Sequence, residues 1–69
     1  MNFAEAKITA LGIDAASVVI EVEGMKTANV MRERAGSAPA YGEDAFEAKR
    51  VEMANIANTI RGLAERLPG

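Results

Sequence analysis

Apolar residues in the first half of the chain recur at alternating spacings of four and three. The series is Ala4, Ile8, Leu11, Ala15, Val18, Val22, Met25 and Asn29, of which the last is polar. An α-helix has about 3.6 residues per turn, so this spacing brings every member to the same side of a helix. The pattern predicts one helix over residues 3–35, and we call these eight residues the first seam.

The last third of the chain follows the same rule. The second seam comprises Phe46, Lys49, Met53, Ile56, Ile60, Leu63 and Leu67. Ala57 and Ala64 are predicted to widen its apolar side. The spacing predicts a second helix over residues 43–67.

Between the two seams the apolar period is lost. Residues 36–42 contain a proline between two flanking glycines, a composition typical of a loop. Arg32 and Arg34 precede this loop, and Glu43 and Asp44 follow it. Cations favour the end of a helix and anions favour its start, so the charges support these boundaries. The sequence predicts an all-α fold, an antiparallel helical hairpin forming a single domain over residues 1–69.

A loop centred on Pro39 also predicts which residues face each other. In an antiparallel hairpin with that centre, opposing residues have numbers that sum to roughly 78. This register pairs Met25 with Met53 and places Asn29 opposite Lys49. The polar members of the two seams are therefore expected to meet near the loop.

A strand at residues 17–23 is the alternative prediction. This segment is rich in β-branched residues and nearly alternates, with Gly12 and Gly24 as possible boundaries. It would give an α+β domain whose strand pairs with that of a second copy. A continuous helix must instead accept two interior glycines, at about 1 kcal/mol each relative to alanine. The first seam keeps its phase through both glycines, which favours the helix.

A second apolar stripe is predicted on the other side of the first helix, and we call it the outer stripe. Its members are Ile13, Ala16, Ile20, Thr27 and Val30. A chain of 69 residues buries a small share of its surface, and without cysteine it cannot add disulfides. We therefore predict a homodimer formed through this outer stripe, a four-helix arrangement with the first helices central.

Composition argues against two classes of partner. The net charge is −2 with both signs spread along the chain, whereas nucleic-acid binding requires a concentrated basic surface. The longest apolar run, around residues 18–20, is far shorter than a membrane span, and the first residues do not resemble a secretion signal. The sequence predicts a cytoplasmic protein with no nucleic acid and no membrane among its partners.

Residues suited to catalysis are scarce. There is no histidine or cysteine, and the two serines, Ser17 and Ser37, have no histidine to activate them. Glu47 lies three residues before Arg50 on the second helix, which predicts an ion pair and not a metal ligand. We predict no catalytic, cofactor-binding or metal-binding residues, and hence not an enzyme.

Four residues near the loop have the character of a protein-binding surface. Interfaces favour aromatic residues, methionine and arginine, and the candidates here are Met31, Arg32, Arg34 and Tyr41. They predict a contiguous tip that binds a protein of unidentified nature. The alternative for Tyr41 is that its ring packs on Phe46 or Val30 and closes the hairpin.

Residues 53–59, Met-Ala-Asn-Ile-Ala-Asn-Thr, resemble the NxANxxT-type signature of flagellar rod and hook proteins. The Pro-Gly-Tyr continuation of that signature is missing. Ile56 and Ile60 already belong to the second seam, so we attribute the likeness to an Ala/Asn-rich helix. A structural subunit of a larger helical assembly, flagellar-rod-like or a virion component, is kept as the alternative function.

In size, acidic balance and lack of catalytic residues, the chain resembles small accessory proteins of bacteriophages that bind and inhibit host regulators, including quorum-sensing anti-activators. The resemblance is one of general character over the whole chain, and no functional residue follows from it. It implies a non-catalytic protein that binds a regulatory protein and inhibits it.

Overall fold

The computed structural model describes residues 2–67 and contains two helices. Helix α1 spans Phe3–Arg34 and helix α2 spans Glu43–Ala64, and residues 35–42 connect them. The predicted all-α hairpin is confirmed. The alternative strand at residues 17–23 is wrong, because this segment lies in the middle of α1 and residues 2–67 contain no strand. The seam repeat outweighed the local β propensity of this segment.

The first turn of α1 is held by Asn2. Its side-chain Oδ1 accepts a hydrogen bond of 2.8 Å from the backbone N–H of Glu5. This bond satisfies one of the N–H groups that a helix start leaves without a partner, and the Glu5 carboxylate favours the positive end of the helix dipole. The chain therefore enters α1 with its first turn already paired.

The end of α1 depends on Gly36. Its φ of 75° lies in the left-handed region that favours glycine. This turn lets the Ser37 N–H donate to the Arg32 carbonyl (2.9 Å) and the Gly36 N–H donate to the Glu33 carbonyl (3.0 Å). These two bonds form a Schellman motif, which stops the helix one residue before the predicted boundary.

Helix α2 is shorter than predicted, ending at Ala64 and not at residue 67. Beyond it the backbone tightens, with the Arg66 N–H donating to the Leu63 carbonyl and the Leu67 N–H donating to the Ala64 carbonyl, both at 3.1 Å. The next residue in the sequence is Pro68, and a residue that precedes proline disfavours helical geometry. The proline explains why the second seam continues past the end of its helix.

The two seams pack against each other and form the core. Every residue of the first and second seams is buried or half-buried. The most buried side chains are Val18 and Met25, each 5% exposed, and Leu63. Of the two alanines predicted to widen the second seam, Ala57 is half-buried and Ala64 is exposed. The face assignment made from periodicity is therefore correct along both helices.

The predicted register between the helices is wrong by about two turns. The Lys49 ammonium bonds the Glu21 carboxylate, and the Asn29 side chain bonds the backbone of Tyr41. In both pairs the residue numbers sum to 70 and not to 78. The loop does not turn symmetrically about Pro39, because it runs back along the last turns of α1 before α2 begins. Asn29 and Lys49 therefore do not meet.

The resulting molecule is a rod. Its principal dimensions are 55 × 19 × 14 Å and its radius of gyration is 16.3 Å, against about 11 Å for a compact chain of this length. Two helices side by side leave most of each helix facing solvent. The core is consequently a single line of side chains between them.

Gly12 and Gly36 have different backbone roles, and alanine substitutions are expected to have opposite effects at the two positions. Gly12 lies inside α1, and a methyl group built there meets no atom within 4 Å. We expect Gly12→Ala to raise the free energy of unfolding by about 0.5–1 kcal/mol. We expect Gly36→Ala to lower it by about 1 kcal/mol, because alanine disfavours the positive φ. Urea unfolding followed by circular dichroism at one protein concentration measures both changes. If the two substitutions change the free energy of unfolding in the same direction, the backbone roles given to Gly12 and Gly36 are wrong.

Candidate protein-interaction site

The outer stripe lies on the side of α1 that faces away from α2. Its members Ile13, Ala16, Ile20, Thr27 and Val30 are all exposed. Four of them lie two positions from a first-seam residue, which corresponds to about 200° around the helix, and Val30 lies one position, or about 100°, from Asn29. Ile13 is 65% and Ile20 is 73% exposed, so neither contributes to the core of the hairpin. In the described part of the chain, no other element covers this apolar surface.

Two polar groups interrupt the outer stripe, and both are already bonded within α1. The Glu23 carboxylate accepts a hydrogen bond of 3.1 Å from the Lys26 ammonium. The Thr27 hydroxyl donates to the Glu23 carbonyl at 3.0 Å. A residue that packs against Thr27 therefore meets a methyl group and not an unsatisfied hydroxyl. Glu23 is left as the one formal negative charge in the centre of the stripe.

The structure divides the four predicted tip residues into two pairs. Asn29 holds the loop backbone, since its Nδ2 donates to the Tyr41 carbonyl (2.8 Å) and its Oδ1 accepts from the Tyr41 N–H (2.9 Å). Arg32 follows Asn29 by three residues, which places it on the same side of α1. Met31 and Arg34 lie about 200° and 140° from Asn29, on the side of the outer stripe. All four are exposed, but Tyr41 shares a side only with Arg32.

Lys49 connects the two helices by charge. Its ammonium bonds Glu21 of α1, with Nζ–Oε1 at 2.8 Å, and Glu52 of α2 at 3.2 Å. The hydrogen bond that Lys49 donates to Glu21 is the main cause that raises the pKa of Lys49 above its ordinary value, with Glu52 adding to it. The second seam thus tolerates a lysine because two carboxylates neutralise it. The register predicted from the sequence placed Asn29 opposite Lys49, so it did not identify Glu21 as the partner of Lys49.

The predicted ion pair between Glu47 and Arg50 is present on α2. The Arg50 Nε donates to Glu47 Oε2 at 2.8 Å. This hydrogen bond is the main cause that lowers the pKa of Glu47 and raises that of Arg50. Both side chains are more than half exposed, and pairs of this kind add little to stability. Their main effect is to keep this side of α2 charged and hydrated.

Two open grooves run between the helices, one on each side of the core. The larger has a volume of about 570 Å³. Its border is acidic, with Asp14, Glu21 and Glu52. The smaller, of about 230 Å³, is bordered by Val19 and Arg50, among others. Glu21 and Glu52 both form ion pairs with Lys49, so among the described residues Asp14 is the one carboxylate along this border without an ion pair.

Residues 2–67 contain no group of three acidic side chains arranged to hold a metal ion. No helix in the same range combines the length and hydropathy that crossing a bilayer requires. Comparison with known proteins gives no match to a family model, to a curated protein or to a solved structure. The candidate site is therefore defined by its own geometry.

Proposed function

We propose that this chain is a cytoplasmic, non-catalytic protein-interaction module that acts as a homodimer and binds a regulatory protein. The observation that supports it is the outer stripe of α1, where Ile13 and Ile20 are largely exposed along one side of the helix. Each large apolar side chain left in water forgoes about 1.5–3 kcal/mol of stabilisation. A partner that covers this stripe recovers that free energy.

The exposed area of the chain supports a second copy as that partner. The chain exposes 5136 Å², whereas a compact protein of 7.3 kDa exposes about 4,200 Å² by the usual relation between surface and mass. The excess over that relation is about 900 Å². One partner in a standard protein–protein interface loses about 800 Å². The excess is therefore close to the area that one protomer loses in a stable dimer.

The surface for the regulatory protein is the one that a dimer through the outer stripe leaves free. Arg32 and Tyr41 lie on the other side of α1, beside the loop that Asn29 holds. Arginine and tyrosine are among the residue types that contribute most to protein interfaces. The bonds from Asn29 fix the Tyr41 backbone before binding, which reduces the entropy lost on association. A rigid dimer bound in this way would inhibit its target by covering the target's own contact surface.

Sedimentation equilibrium tests the homodimer. At about 1–100 μM, a concentration range that spans micromolar affinity, we expect a species of about twice the 7.3 kDa chain mass. A folded species at the mass of one chain throughout this range would refute the dimer. Open-ended polymers would refute it too, and would favour the alternative of a structural subunit in a larger helical assembly.

A further inference from the structure

We infer that the partner on the outer stripe is a second copy of this chain lying antiparallel to the first, with the two-fold axis at the level of residues 21 and 22. This inference rests on the proposed homodimer and adds its orientation and register. Three observations select the arrangement: the position of one negative charge, the order of large and small residues along the stripe, and a glycine at its edge.

The charge of Glu23 selects the orientation. Glu23 occupies the stripe between Ile20 and Thr27, and its side chain is 64% exposed beside Lys26. In a parallel dimer each residue meets its own copy, so two Glu23 carboxylates would lie side by side, and like charges at that distance disfavour each other. In an antiparallel dimer Glu23 faces a different residue, and Lys26 remains beside it.

The order of residue sizes selects the register. When opposing residue numbers sum to about 43, Ile13 meets the partner's Val30, Ala16 meets the partner's Thr27, and Ile20 meets the partner's Glu23. By two-fold symmetry each contact occurs twice. Both large residues at the ends of the stripe are covered, and about 26 residues of α1 overlap, or about 39 Å at about 1.5 Å per residue.

The two neighbouring registers leave Ile13 without an apolar residue of comparable size opposite it. They lie one heptad apart, because the stripe repeats about every seven residues. A sum of about 36 sets Ile13 against the partner's Glu23 and Val30 against the partner's Ala6. A sum of about 50 carries Ile13 past the end of the partner's α1, which stops at Arg34. Only the register at 43 pairs Ile13 with an apolar residue of comparable size.

Gly24 provides room at the edge of this interface. Along that edge the numbers of opposing residues sum to about 41, which places Gly24 beside the partner's Ser17. A methyl group built on Gly24, as on Gly12 and Gly62, meets no atom within 4 Å in the single chain, so packing within the hairpin does not account for these glycines. Small residues opposite each other allow two helix backbones to approach closely, and here Gly24 and Ser17 lie on both sides of the two-fold axis.

Disulfide crosslinking tests the orientation, because the natural chain contains no cysteine. Ile13→Cys and Val30→Cys are prepared separately, one of them labelled with ¹⁵N, and then mixed, oxidised and weighed by mass spectrometry. In the antiparallel register the thiol introduced at position 13 lies opposite the thiol at position 30 of the second copy. Two thiols at position 13 lie about 17 residues apart along the axis, or about 25 Å, beyond the roughly 7 Å that a disulfide spans.

The expected result is a crosslinked heterodimer in the mixture, at least tenfold above the homodimers that either variant forms alone. Val51→Cys, on the exposed part of α2, is the control for random collisions. Efficient crosslinking of Ile13→Cys with itself would overturn the orientation while leaving the homodimer intact. If the natural chain and the variants are all monomeric in sedimentation and no mixture forms a crosslink, both the orientation and the homodimer are overturned.

Discussion

Replacing Met25 with alanine is expected to lower the free energy of unfolding by about 2–5 kcal/mol. Met25 is 5% exposed and, with Val18 and Leu63, is one of three buried side chains in the described residues. The core is a single line of contacts between two helices, so neighbouring residues cannot easily close the cavity. A chain of this length has a total stability of about 3–10 kcal/mol, and the variant is expected to be largely unfolded at 37 °C.

Met31→Ala is the matched control for this prediction. It removes the same side chain from the same helix, but Met31 is 65% exposed. We expect a change below about 1 kcal/mol. Urea unfolding followed by circular dichroism at 222 nm, at one protein concentration below the dissociation constant of the dimer, measures both variants. Equal losses would mean that Met25 is not in the core and that the packing of the hairpin is incorrect.

Replacing Ile20 with lysine is expected to weaken the homodimer at least a hundredfold while the hairpin remains folded. Ile20 is 73% exposed in the single chain, and lysine favours a helix at least as well as isoleucine. In the dimer two copies of the apolar contact are lost, each worth about 1.5–3 kcal/mol. The ion pair that each introduced ammonium can form with the partner's Glu23 is worth about 0–1 kcal/mol and offsets only part of this loss. The change therefore acts on association and not on folding.

Val51→Lys is the control for Ile20→Lys. It introduces the same side chain at an apolar, 44% exposed position, but on α2, where it faces the acidic groove. We expect its dissociation constant in sedimentation equilibrium to match that of the natural chain. If Val51→Lys dissociates the dimer and Ile20→Lys does not, the interface lies on α2. Helical circular dichroism verifies that both variants are folded.

Periodicity alone was sufficient to identify which side of each helix is buried. A seam residue is defined by its angle around the helix, and that angle depends only on its position in the sequence. The same reasoning identified the outer stripe. The residue numbers also show that Met31 and Arg34 lie on a different side of α1 from Arg32, because each position turns the helix by about 100°. That part of the site was predictable and was missed.

The axial offset between the helices was not predictable in the same way. It depends on the path of the loop, and the loop is held by the Asn29 amide, which both donates to and accepts from the Tyr41 backbone. Helical periodicity carries no information about such a bond. The signal in the sequence was Asn29 itself, the one polar residue in the first seam, because a side chain with a donor and an acceptor matches the two groups of a backbone residue.

The proportions of the rod affect how its mass should be measured. A particle 55 Å long and 14–19 Å wide experiences more friction than a sphere of equal mass, so it leaves a gel-filtration column early and tumbles slowly in fluorescence or NMR relaxation. A single chain would therefore appear heavier than its true mass by either method. Equilibrium ultracentrifugation and light scattering depend on mass and not on friction, and they are the appropriate methods for counting chains of this protein.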